Sequence, residues 1–219
     1  MLAEFSAGAG HELNNPLAAI SGRVQLLLLS ETDLARRSEL TSILNQVKRA
    51  QDMIADLRLV AAPPRPQFST FSWSAVLDSI QKDFQTTFDE LAISWHVFGL
   101  AKENDSWTAD PVQMQILLRA LLRNSLRALC HAGNITLTFT FSESDLTLRF
   151  SDTGEGIPPE NRPLIFDPFY SSYQSGRGLG FGLTKARIIA ELHGGTLTLD
   201  EADTEKTTFV LKLPRLLEH

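Results

Sequence analysis

A single cysteine, Cys130, stands among 219 residues. One thiol can neither close an internal disulfide nor build a cysteine-based zinc site, and its isolation fits a reducing compartment. Positive charge is also scarce. Twenty lysines and arginines face 26 aspartates and glutamates, a formal net charge of −6, which argues against a nucleic-acid-binding surface. Long apolar runs are missing: the longest, "VQLLLL", is far too short to cross a bilayer, and the start of the chain shows no signal-peptide pattern. Nothing repeats at a solenoid period. What these absences leave is a soluble chain expected in the cytoplasm, with no membrane segment. It is 43% apolar, as globular proteins are, and long enough for one or two domains. The closing Leu217, Glu218 and His219 read as a tag scar, and the abrupt helical start suggests a piece of a longer protein.

The first 61 residues carry two helical patterns. Leu13, Leu17, Ile20, Val24 and Leu27 are spaced 4, 3, 4, 3, and Ile43, Val47, Ala50, Ile54 and Leu57 repeat that spacing, the seam of a bundle or coiled coil. The turn lies near "SETD", where Ser30 or Thr32 is expected to cap the second helix. A lone hairpin leaves flanks such as Leu26 and Leu28 exposed, so a homodimeric four-helix bundle is expected. "AAPPRPQ", residues 61–67, ends the helix and stiffens a linker. Beyond it the pattern is mixed: a helix over 73–88, a strand over 91–98, and a helix over 110–131 opened by Asp110-Pro111. The alternating "NITLTFTF" and "DLTLRFSD" around "SESD" form an antiparallel hairpin. A loop-rich stretch follows to about 178, then a helix to His193 stopped by Gly194-Gly195, and the strands "TLTLDE" and "TTFVLKLP". The fold class is α+β: a dimeric helical-hairpin domain (1–62), a Pro-rich linker (63–69), an α/β sandwich domain with a mixed sheet and helices on one face (70–216), and the scar (217–219).

Three stretches of the second domain carry chemistry. In "SDTGEGIP" a strand ends at Asp152 and glycines follow at 154 and 156. The pattern suits an ordinary Asp-Gly turn equally well, but a carboxylate fixed there can accept the exocyclic amine of adenine while glycine lets the backbone approach. In "GRGLGFGL", glycines alternate just before a helix whose positive end suits phosphate. No strand precedes them, so a Rossmann reading fails, and there is no Walker lysine pattern. In "QILLRALLRNSLRAL" the face of Leu117, Ala120, Leu121, Asn124 and Ala128 is apolar but for Asn124. That amide is either a hydrogen-bonded core residue or a magnesium ligand beside phosphates.

In this order the pieces resemble the ATP-binding domain of histidine kinases and their gyrase and heat-shock chaperone relatives, over residues 70 to 214. Asn124 matches the N-box asparagine, "DTGEGIP" the first glycine box, "IFDPFYSS" the phenylalanine box and "GLGFGL" the second glycine box. The resemblance implies an ATP lid across 159–180. It implies that Asn124 binds Mg2+, that Asp152 binds adenine and that Thr208 supports adenine from below. By the same match Gly154, Gly156, Gly178, Gly180 and Gly182 shape the pocket. "HELNNPL" in turn resembles the H box of sensor histidine kinases, in particular of the nitrogen-regulation type. It implies that His11, on the side of the helix away from the core, takes the γ-phosphoryl group of ATP and hands it to an aspartate of a response-regulator receiver domain. Glu12 would orient the imidazole and take its proton, and Asn15, one turn on, would position water for dephosphorylation of that partner. Pro16 offers a hinge beside them. The fragment would then be the cytoplasmic part of a longer sensor.

The chain departs from that pattern at three points. Ala120 stands where the family usually carries a second polar residue, Tyr173 where a lysine is common, and Leu179 where threonine is usual. Arg127 and Arg177 are candidates to restore the missing positive charge. The alternative reading is a phosphatase-dominant or kinase-dead dimeric scaffold that binds ATP and docks a regulator.

Overall fold

The computed structural model describes residues 2–129, 131–170, 180–202 and 206–215, with side chains from Glu12 onward. Two long helices open the chain, α1 (Leu2–Ser30) and α2 (Leu34–Ala61). Val24 and Val47, one from each seam, are buried between them. Asp33 caps α2: it is the last residue with extended backbone, and its carboxylate accepts from the Arg36 amide at 2.9 Å. This corrects the expected cap at Ser30 or Thr32. Ser30 Oγ instead donates to the Leu27 carbonyl, and the Thr32 amide donates to Glu31. Arg37 donates to the carbonyls of Leu28 and Glu31, each at 2.9 Å, which satisfies the negative end of α1. Pro16 lies inside α1 without ending it.

The linker does not hang free. The Gln67 amide donates to Asp110, and Gln113 Nε2 donates to the Pro64 carbonyl. The remaining elements are β1 (Ser69–Ser72), α3 (Trp73–Leu91), β2 (Ile93–Phe98), β3 (Ser106–Ala109), α4 (Pro111–Ala128), β4 (Gly133–Phe141), β5 (Asp145–Asp152), a 3-10 turn at Arg162–Leu164, α5 (Gly182–Leu192), β6 (Thr196–Leu199) and β7 (Thr207–Pro214). The larger sheet runs β2-β4-β5-β7-β6, parallel only between β2 and β4. Strand alternation sends Ile135, Leu137, Phe139, Leu146, Leu148, Phe150, Phe209 and Leu211 into one core, packed with Trp73 and Ile80 of α3, Leu117 and Leu121 of α4, and Ile189 of α5. The alternating threonines of "NITLTFTF" therefore take the other face. This is the expected α+β arrangement.

The helices differ from expectation at their ends. α3 runs three residues further, to Leu91, where Ala92 turns left-handed, and α4 stops at Ala128. β1 and β3 were not legible in the sequence. They pair antiparallel from Ser69–Ala109 to Ser72–Ser106, four residues each and far apart in the chain. Asp105 makes the junction: its carboxylate accepts from Ser72 Oγ at 2.5 Å and from the Ser74 amide at 2.7 Å, at the positive end of α3. Burial raises its carboxyl, but the hydrogen bonds from Ser72 and Ser74 outweigh that and hold it below the usual value. No helix among the described residues is long and apolar enough to cross a membrane.

Candidate active site

Asp110 sets the site up from a distance. Its Oδ1 accepts from the amides of Val112 and Gln113 at 2.9 and 3.1 Å, so α4 starts in one defined phase. From that start Ile116, Ala120 and Asn124 follow at intervals of one turn, with Arg119, Arg123 and Arg127 beside them. All six line a cavity of about 320 Å³, a size that suits a small organic ligand. The opposite wall comes from Gly156, Ile157 and Pro158 after β5, and from Gly180, Phe181, Gly182 and Lys185 at the start of α5. The glycines serve different needs. Gly180 has φ +73°, and a Cβ there would lie 2.3 Å from the Tyr170 carbonyl oxygen, so only glycine lets these two segments meet. Gly182 opens α5 with nothing among the described residues within 4 Å of where a Cβ would lie.

Asp152 is the strand partner of Thr207, which lines the cavity. It is 1% exposed and does not itself form the cavity surface. Its Oδ2 accepts from Ser125 Oγ at 2.5 Å and its Oδ1 from the Gly154 amide at 3.0 Å. Burial pushes its carboxyl above the ordinary range, against the opposing pull of those two hydrogen bonds. Gly154 is held as tightly, since a Cβ there would come within 2.7 Å of Ala128 and 2.8 Å of Asp152.

The strand register corrects one assignment. Asp152 pairs with Thr207, and Ser151 pairs with Thr208. Paired residues share a face of the sheet, so Thr207 stands with Asp152 on the cavity side while Thr208 lies on the other face, with its hydroxyl 2.8 Å from that of Ser151. The threonine that lines the cavity is Thr207. Its Oγ1 is buried and has no hydrogen-bond partner among the described residues, so its hydrogen-bonding capacity is open to a group in the cavity.

Charge in the lining is one-sided. Arg119, Arg123, Arg127 and Lys185 face the cavity, and Asp56 of α2 is the one carboxylate among the described lining residues. Arg119 is held by Asp83 of α3 at 2.6 Å, and Lys185 is ion-paired with Asp56.

Of the residues singled out in the sequence, Asn124, Arg127, Gly156, Gly180 and Gly182 line the cavity; Asp152, the strand partner of the lining Thr207, and Gly154, which donates to it, do not. Ala120 shares the wall with Asn124. Arg177, Gly178, Tyr173 and Leu179 lie outside the described residues, as does the direction of the His11 side chain. His11, Glu12 and Asn15 belong to α1, where Glu12 and Asn15 are exposed, and neither Glu12 nor Asn15 lines the cavity. Sequence reasoning missed Arg119 and Arg123, whose four-residue spacing with Arg127 was a usable signal. It also missed Thr207, Asp56 and Lys185, for which there was no local signal.

Comparison with known proteins accords with this geometry. Residues 109–217 match the family described as histidine kinase-, DNA gyrase B- and HSP90-like ATPase. Residues 1–63 match the His Kinase A (phospho-acceptor) domain. The sensor protein SrrB of Staphylococcus aureus is 29% identical over 98% of this chain and 38% of its own length. The signal transduction histidine-protein kinase AtoS of Escherichia coli is 29% identical over 97% of this chain and 35% of its own length. The chain thus spans just over a third of the curated relatives it matches. Full-length ShkA, solved in complex with AMPPNP, aligns over 99% of this chain and 47% of its own with a TM-score of 0.81 at 21% identity. The ThkA histidine kinase, solved with the response regulator TrrA, aligns over 97% of this chain and 61% of its own with a TM-score of 0.67 at 21% identity. Those two likenesses speak to the fold.

Proposed function

We propose, for a chain that holds the two-domain core of the sensor histidine kinases, that it transfers the γ-phosphoryl group of ATP to His11 and then to an aspartate of a response-regulator receiver domain. The observation that carries the reading is the cation-lined cavity that the Thr207 hydroxyl enters without a partner among the described residues, with the buried carboxylate of Asp152 on the paired strand position behind it. An adenine offers both a donor for Asp152 and polar atoms for Thr207, directly or through water. A triphosphate suits the four cations and the positive end of α5. Magnesium fits as well: Asn124 offers one amide oxygen, and no cluster of three or more His, Cys, Asp or Glu gathers among the described residues. Mg2+ on a nucleotide needs few protein ligands and takes the rest from phosphate and water. When bound, it would neutralise charge on the transferring group.

The protein's own steps follow. A ring nitrogen of His11 forms the N–P bond as the bond from the γ-phosphorus to the bridging oxygen of ADP breaks. Glu12 holds the ring and takes the proton from its other nitrogen. Asn15, exposed on the same helix, orients water onto the acyl phosphate of a docked receiver. The two family matches favour this kinase over the phosphatase-dominant scaffold. The hairpin supports a homodimer: Leu13, Ile20, Leu27, Ile43 and Leu57, all seam positions, are 40–56% exposed in one chain, and a second hairpin would cover them.

The test is incubation with γ-labelled ATP and magnesium. An acid-labile, base-stable phosphohistidine is expected, and His11→Gln should abolish it while ATP binding persists. Label that survives in His11→Gln moves the acceptor to another histidine. No label on the unaltered protein favours the scaffold.

A further inference from the structure

The ion pair between Asp56 and Lys185 joins the hairpin to the ATP-binding domain at the edge of the cavity, and both residues line it. Lys185 lies in the first turn of α5, where a cation opposes the helix dipole. Its side chain is only 13% exposed. A cation so placed needs an anion close by, and Asp56 is the one carboxylate among the described lining residues. A triphosphate entering the same cavity carries several negative charges to the same end of α5. Lys185 has one ammonium group, and two anions then compete for it.

We propose that Lys185 is a phosphate-binding residue of the nucleotide site, and that Asp56 occupies it when no nucleotide is bound. Triphosphate binding transfers the ammonium from Asp56 to phosphate and so loosens α2 from α5. The lysine thereby couples occupancy of the site to release of the ATP-binding domain from the hairpin. This rests on the nucleotide reading above. It concerns two residues that the resemblance to the family did not single out.

The test is direct binding of ATP and of adenosine, without turnover, to the unaltered chain, Asp56→Asn, Lys185→Met and the double variant. Asp56→Asn should tighten ATP about three- to tenfold, and Lys185→Met should weaken it about tenfold, the range for a charge-assisted contact. Adenosine, which has no phosphate, should bind all four proteins alike. In the Lys185→Met background, Asp56→Asn should change nothing, because the competition has lost its object. Equal shifts for ATP and adenosine, additive effects of the two substitutions, or an unchanged ATP affinity in Asp56→Asn would each overturn the proposal. If the unaltered protein binds neither ligand, the nucleotide reading itself fails. Circular dichroism checks that each variant is folded, and Lys185→Arg, which keeps the charge, should restore ATP binding if Lys185→Met is impaired.

Discussion

Thr207 offers a test in which stability and binding move in opposite directions. Thr207 is 4% exposed, and its hydroxyl makes no hydrogen bond among the described residues. A buried hydroxyl without a partner costs roughly 1–3 kcal/mol. Thr207→Val keeps the branched shape on β7, opposite Asp152, and removes only the hydroxyl. The nucleotide-free protein should therefore gain about 1–2 kcal/mol, which for a chain of this size raises Tm by about 2–4 °C per kcal/mol. The ligand side has the reverse sign. A hydrogen bond to adenine, direct or through water, contributes about 0.5–1.5 kcal/mol net, so ATP affinity should fall about two- to tenfold. Thermal unfolding without nucleotide and titration with ATP read the two effects separately. Thr208→Val, on the other face of the sheet, breaks the contact with Ser151 and should leave ATP affinity unchanged. A stable Thr207→Val protein with undiminished affinity, or a Thr208→Val variant that binds poorly, would refute the assignment.

Asp152 predicts a pH dependence. Burial holds its folded carboxyl above the unfolded value of 3.8, so the folded state keeps the proton longer than the unfolded chain does. Its contribution to stability is present below the unfolded value and is lost as pH rises through the folded one. Denaturant unfolding across the acidic range should show that slope, and Asp152→Asn should remove it; identical profiles would count against the burial argument. His193 is buried, accepts at Nε2 from the Asp110 amide at 3.1 Å and donates from Nδ1 to the Ile189 carbonyl at 2.8 Å. His193→Ala should cost about 2–4 kcal/mol in equilibrium unfolding, because it strands the Asp110 amide and opens a hole under Phe68. Gly180→Ala places a Cβ against Tyr170 at positive φ, and should lose about 2 kcal/mol or more, seen as a lower Tm together with weaker ATP binding. Ala120→Asn adds an amide to the wall beside Asn124, and a faster labelling rate at saturating ATP and magnesium is expected if a second amide limits transfer.

Much of this molecule is local information. The 4, 3 spacing of apolar residues in α1 and α2, the Asp110-Pro111 start of α4 and the period-two alternation of β4 and β5 each follow from backbone geometry within a dozen residues. That is why the hairpin, the linker, the mixed sheet and the positions of Asn124 and Asp152 are legible in the sequence. Helix caps were less so, because Ser30, Thr32 and Asp33 are all good capping residues and only the path of the turn selects Asp33. Tertiary structure alone decided the rest. β1 and β3 are too short to announce themselves and exist by pairing with each other. Thr207 rather than Thr208 faces the cavity because a strand's faces alternate with period two, and register with β5 sets which face is inward. The pairing of Asp56 with Lys185 joins residues 129 positions apart. No local pattern carries a contact of that kind, since it depends on how α2 and α5 meet once each domain has formed its own core.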